Sequence, residues 1–270
     1  MKTTDHKNLL YHKLYYKGED KPWVILIHGA GGSSAIWFKQ IRDYKENFNV
    51  VLVDLRGHGK SANLFQEWKN KKRYTFEEIS KDIIDVLDFL EIKRAHFVGI
   101  SLGTIIIRVI GEIYPDRVAS MIMGGAIIRF NTRSKLLLWI ARQIKHFVPF
   151  MWIYQIYAWI LLPKKRHSES RNLFIREAKK LYQKEFMRWI RITTNIHPIM
   201  KNFREKELSI PVLYLMGDED YMFLPSVKAL VKKHTNAVLK IINDSGHVCN
   251  VDQADLFNNY SIEFIRERAQ

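Results

Sequence analysis

The chain has 270 residues, 47% of them hydrophobic, with one cysteine and a formal net charge of +15 at pH 7. That length accommodates one large α/β domain, and nothing in it reads as a linker or a repeat. The lone Cys249 excludes an internal disulfide, and the charge distribution argues against a uniformly basic nucleic-acid binder: residues 129–206 hold 18 Lys and Arg against four Glu, while the rest is balanced to within one charge.

The N-terminal MKTTDHKNLLYHK is polar and lacks the apolar segment of a signal peptide, so a cytoplasmic location is expected. A first strand is expected from Lys13 to Lys17. Two nearly continuous apolar runs, Trp23 to Ile27 (WVILI) and Asn49 to Asp54 (NVVLVD), suit strands buried on both faces, as in a parallel sheet. The first leads into a glycine-rich loop, His28 to Ser34, with Trp37 just beyond it as a pocket or core residue. The second leads into Leu55-Arg56-Gly57-His58-Gly59-Lys60-Ser61, whose glycine spacing is not that of a phosphate-binding P-loop. Thr75 and Glu78 have capping-box spacing ahead of a helix carrying Ile79, Ile83, Val86, Leu87 and Leu90.

The stretch from Ala95 to Tyr114 reads as strand, tight turn and helix, with Ser101 at the apex between Gly99 and Gly103. Glycines two positions either side leave room for a chain that reverses within a few residues, and the serine is held at a helix N-terminus whose positive end favours a developing anion. After the strand Val118 to Met123, the alternation stops. Residues 129–206 contain helix-like pieces: Lys135 to Ile144, the apolar FVPFMWIYQIYAWILL from Phe147 to Leu162, and a basic stretch from Arg171 to Ile192. The 16-residue apolar run is short for a bilayer span of ~20 residues and has an early proline. Alternation resumes with the strand Val212 to Met216 before Gly217-Asp218-Glu219-Asp220, a helix from Pro225 to His234, the strand Val238 to Ile242 before Ser245-Gly246-His247, and a closing helix from Asp252 to Arg266.

The stretch around Ser101 resembles the G-x-S-x-G nucleophile elbow of the α/β-hydrolase superfamily. The His28-Gly29 loop, the Asp54-x-Arg56-Gly57-x-Gly59-x-Ser61 turn, Gly217-x-x-Asp220 and Ser245-Gly246-His247 match that family in order, over nearly the whole chain outside residues 129–206. The resemblance implies a mostly parallel sheet flanked by helices, residues 1–128 and 207–270 as the core, and residues 129–206 as a helical lid inserted in it. It implies Ser101 as nucleophile, His247 as base and Asp220 as its acid, with Asp218 the alternative, and the N–H groups of Ala30 and Leu102 as the oxyanion hole. In the family the turn carrying His58 is structural, so His58 is not expected to be the base. Cys249 is expected to be a packed thiol.

Serine needs a base within hydrogen-bond reach and the base needs a partner, which these three supply in the order Ser, Asp, His. The expected activity is hydrolysis of hydrophobic carboxylic esters, with Trp37, Met151, Trp152 and Tyr154 as candidate substrate-binding residues and Tyr157 and Trp159 beside them. The same residues also suit thioesters, amides, carbon–carbon bonds of ring-fission products, or a signalling protein that turns its ligand over slowly. Ser101 argues against relatives that use an elbow aspartate, the dehalogenases and epoxide hydrolases. No cofactor and no metal site are expected, and the protein is expected as a monomer or homodimer. The basic excess is either a solvated face or a transient contact with an anionic membrane surface.

Overall fold

The computed structural model describes residues 9–62, 74–132, 136–137, 139–140, 143, 148–181, 183–194 and 196–268. The eight N-terminal residues, Phe147, and positions 135, 138, 141, 142 and 144 of the expected first helical piece lie outside them. Seven strands form one sheet: β1 (His12–Tyr15), β2 (Trp23–Ile27), β3 (Asn49–Val53), β4 (Ala95–Ile100), β5 (Val118–Gly124), β6 (Val212–Gly217) and β7 (Ala237–Ile242), in the order β1-β3-β2-β4-β5-β6-β7. β1 pairs antiparallel with β3, and every other pairing is parallel. The apolar run Trp23–Ile27 becomes β2, buried after Trp23, and the run from Asn49 becomes β3, buried throughout like β4 and β6, whereas the edge strands β1 and β7 carry exposed positions.

The flanking helices of the core are α1 (Ile41–Asn47), α2 (Phe76–Phe89) and α3 (Leu102–Ile113), then after the insertion α8 (Leu224–Val231) and α9 (Ala254–Arg266). Thr75 caps α2, its Oγ1 accepting the Glu78 N–H at 3.2 Å. Between β5 and β6 the described residues contain helices and no strand: α4 (Phe150–Leu161), α5 (Ser168–Ala178), α6 (Gln183–Thr194) and α7 (His197–Glu205). The expected single stretch from Arg171 to Ile192 is thus two helices, divided where the N–H groups of Lys180 and Leu181 donate to the Glu177 and Ala178 carbonyls in tight turns of 3.0 Å each. No helix among the described residues is long and apolar enough to cross a membrane.

Because β2, β4, β6 and β7 run the same way, their carboxyl ends lie along one edge of the sheet. The loops that follow them carry Ala30, Ser101, Asp220 and His247, so four stretches far apart in sequence meet there.

Candidate active site

Ser101 occupies a backbone conformation that L-residues rarely adopt, with φ 55° and ψ −121°. Its N–H donates to the Gly124 carbonyl at 2.9 Å, which ties the turn to β5. The two flanking glycines are dictated by close approach: a Cβ on Gly103 would lie 2.5 Å from the Ile27 carbonyl oxygen, and one on Gly99 would lie 2.5 Å from Ile107 Cδ1. The sharp turn therefore presents Ser101 beyond the strand end, directly before α3. The N–H of Leu102, in the first turn of α3, has no partner within its own helix.

His247 joins Ser101 to Asp220. Its Nδ1 lies 2.8 Å from Asp220 Oδ2 and its Nε2 lies 2.8 Å from Ser101 Oγ. The carboxylate only accepts, so Nδ1 carries the proton and the bare Nε2 faces the serine hydroxyl. The other oxygen of Asp220 accepts the Phe223 N–H at 3.1 Å, and the Phe223 ring packs 5.1 Å from the imidazole. Asp218 stands apart: it is exposed, and its carboxylate accepts the Ser245 N–H at 3.2 Å.

Two further histidines fix the loop after β2. The Leu55 N–H donates to His28 Nε2 at 3.0 Å, so His28 Nδ1 is the protonated nitrogen and donates to the Gly29 carbonyl at 2.7 Å. The Gly31 N–H donates to His58 Nε2 at 3.0 Å, and His58 Nδ1 donates to the Arg56 carbonyl at 3.1 Å. Burial, which disfavours the imidazolium, lowers the pKa of both; for His58, with His28 nearby, it falls to about 3. His58 thus holds backbone and stays neutral, away from Ser101. In a trans peptide the N–H and C=O point opposite ways, so the pinned Gly29 carbonyl also fixes the direction of the Ala30 N–H. Asp54 completes the frame, accepting the N–H groups of Ser34 at 2.6 Å and Lys60 at 2.8 Å and so joining the loops after β2 and β3.

The insertion reaches down onto the same loop. The Tyr154 hydroxyl donates to the Ala30 carbonyl at 2.6 Å, its ring stacks on Phe174 at 4.5 Å, and Ser33 Oγ donates to the buried Glu177 carboxylate at 2.7 Å. Beside the histidine loop, His167 Nε2 of the insertion lies 2.8 Å from Glu219 Oε2.

A cavity of about 210 Å³ opens above Ser101, bounded by Ala30, Gly31 and Leu102 below and by the insertion above. Ile153, Phe186 and Trp189 are among its wall residues, and none of its described lining side chains is charged. Of the four expected wall residues, Tyr154 lines this cavity, as does Tyr157. The other three lie elsewhere. Trp37 is fully buried in the core against Phe257, because its 3₁₀ turn packs inward under the loop. Met151 packs in the insertion's own small core with Ile153 and Phe186. Trp152 is on the outward face of α4 and is 64% exposed, and Trp159 also faces outward. Cys249 is buried with its thiol toward the Leu215 carbonyl at 3.3 Å, and burial raises its pKa, which keeps it an unreactive thiol.

The roles of His28 and Tyr154 on the Ala30 loop were not anticipated. His28 follows an apolar strand directly, which marks a loop anchor; no local signal joins Tyr154 to a carbonyl 124 residues away.

A sequence family described as alpha/beta hydrolase fold matches residues 22–254. The chain is 24% identical over 266 residues to RutD of Stutzerimonas stutzeri, a protein named for carbamate hydrolysis, covering 96% of this chain and 97% of that one. It is 25% identical over 292 residues to epoxide hydrolase 4 of Mus musculus, covering 97% and 78% of the two chains. Among solved structures, a hydrolase from Oleispira antarctica, olei00960, superposes with a TM-score of 0.80 at 19% identity, over 97% of this chain and 96% of that one.

Proposed function

The chain belongs to the α/β-hydrolase family, and from that premise we propose that it hydrolyses carboxylic esters of hydrophobic substrates through Ser101, His247 and Asp220. The observation that carries this reading is the Ser101–His247–Asp220 hydrogen-bond chain at the floor of a cavity whose described side chains are uncharged.

His247 Nε2 takes the Ser101 proton as Oγ attacks the acyl carbonyl. Asp220 stabilises the resulting imidazolium. The carbonyl oxygen, now an oxyanion, is received by the N–H groups of Ala30 and Leu102; one such donor is worth about 3–4 kcal/mol in related chemistry. His247 then gives its proton to the leaving alcohol, and water, activated by the same imidazole, returns Ser101 and releases the acid. The insertion serves as the lid that screens the reacting bond from bulk solvent while admitting the hydrolytic water. A cytoplasmic location, consistent with the single buried thiol of Cys249, belongs to the same proposal.

The names of the relatives diverge over carbamates and epoxides, so the substrate is read from the cavity. Ser101 occupies the elbow where epoxide-opening relatives use a carboxylate, which supports acyl chemistry. A substrate carrying its own carboxylate, such as a ring-fission product, finds no basic partner among the described lining residues. Turnover of a p-nitrophenyl ester series from acetyl to palmitoyl, by wild type and Ser101→Ala, with mass spectrometry after a fluorophosphonate probe, tests the proposal. Labelling on Ser101 with preference for apolar acyl chains is expected. Full hydrolysis by Ser101→Ala would remove the mechanism, and labelling without ester turnover would move the substrate to a thioester, an amide, a carbon–carbon bond or a bound signalling ligand.

A further inference from the structure

α4, FMWIYQIYAWIL, has no charged residue in its 12 positions, yet only one of its sides is covered. Ile153, Tyr154, Ala158 and Leu161 face the protein, whereas Trp152, Ile156 and Trp159 are 64%, 56% and 55% exposed. A helix that is apolar all round belongs in a fully covered place. Leu136, Trp139 and Ile140, at i, i+3, i+4 spacing, add a second exposed apolar ridge from the same insertion. Ile140, Ile156 and Ile160 also line the cavity above Ser101, so the exposed ridges and the cavity mouth form one surface.

The sequence around it is basic, with Lys164 and Arg166 pairing with Glu219 and Asp244 at one end. Residues 129–168 contain eight Lys and Arg and not one Asp or Glu. Lys165 is exposed just after α4, and the Arg171 guanidinium lies 3.6 Å from the Trp159 ring centroid.

We propose that this face docks on an anionic bilayer surface, with Trp139, Trp152 and Trp159 seated at the headgroup level, and that lipophilic substrate enters the cavity from the membrane. Apolar ridges flanked by cations match an interfacial helix, tryptophan suits a boundary with one apolar and one wet side, and anionic headgroups neutralise the basic excess. A second copy of this chain is a poorer occupant. It would bring two like-charged segments together and stopper both cavities.

Docking goes beyond the hydrolase reading and is measured apart from it, on wild type and on Ser101→Ala. The experiment is co-sedimentation and tryptophan emission with vesicles of phosphatidylcholine containing increasing phosphatidylglycerol, with light scattering on the vesicle-free protein. The bound fraction is expected to rise with phosphatidylglycerol, fall with salt, and bring a blue shift in emission. Trp139→Ser/Trp152→Ser, neither of which lines the cavity, is expected to weaken vesicle affinity about tenfold or more while retaining hydrolysis of a short soluble ester. Absence of vesicle binding, or binding undiminished in the double variant, would overturn the proposal. A dimer that the double variant dissolves would assign the face to a second copy instead. Docking without ester turnover would leave this inference standing and remove the ester reading.

Discussion

At the carboxyl edge of the sheet the polar groups hold one another: Asp220 holds His247, His28 holds Gly29, His58 holds Gly31, and Asp54 joins two loops through backbone N–H groups. The insertion above presents hydrocarbon on two sides, one toward the cavity and one toward solvent, and keeps only a few polar fingers, such as Tyr154 and Glu177, for gripping the edge. The first region is specified by directional hydrogen bonds. The second is held mostly by apolar contact, which has no direction. On the proposed function, reaction type is written in the edge and substrate choice in the insertion.

That division predicts effects of different kind and size. Ser101→Ala, a change at the edge, is expected to lower kcat on the order of 10⁴-fold or more with the fold intact, as steady-state kinetics and circular dichroism would record. Tyr154→Phe breaks the seam between the regions: the Ala30 carbonyl loses its donor, and kcat is expected to fall about tenfold with KM nearly unchanged. A change in KM alone would make Tyr154 part of the insertion's chemistry instead.

A third test sharpens the edge. Burial lowers the pKa values of His28, His58 and His96, to about 3 for His58 and about 4 for His96, against an ordinary 6.5. Between those values the unfolded chain binds protons that the folded chain refuses, so the stability these groups hold is fully present above about 6.5 and is lost as the pH falls. The slope approaches about 1.4 kcal/mol per pH unit for each histidine. Urea midpoints that stay flat from pH 6.5 to 5 would contradict it. The smallest effect is expected within the insertion: Thr193→Phe, on the cavity wall, should raise KM several-fold for long acyl esters and leave acetyl esters alone, amounting to about 1 kcal/mol. Equal effects on both chain lengths would mean that the acyl group does not lie there.

The sheet was legible because its signals are local. WVILI is the strand Trp23–Ile27 to the residue. The residues that meet at Ser101 were legible through the resemblance to the hydrolase motifs, with their place after strands in agreement. Side-chain direction in α4 was not. With apolar residues on every face, FMWIYQIYAWIL gives periodicity no phase, so Trp152 and Tyr154 looked equivalent, yet one faces solvent and the other holds the Ala30 loop. Trp37 was ambiguous for a related reason, since pocket and core ask for the same side chain. The histidine anchors escaped because each joins backbone groups 27 residues away, a pairing fixed by the packing of two loops.

The backbone at Ser101 carries strain as well as a geometry. At φ 55° a glycine would sit without strain, whereas any side chain there costs about 1–3 kcal/mol. Retaining serine makes position 101 a standing debit against the fold, and so a place where a loss of activity would surface as a gain in thermal tolerance.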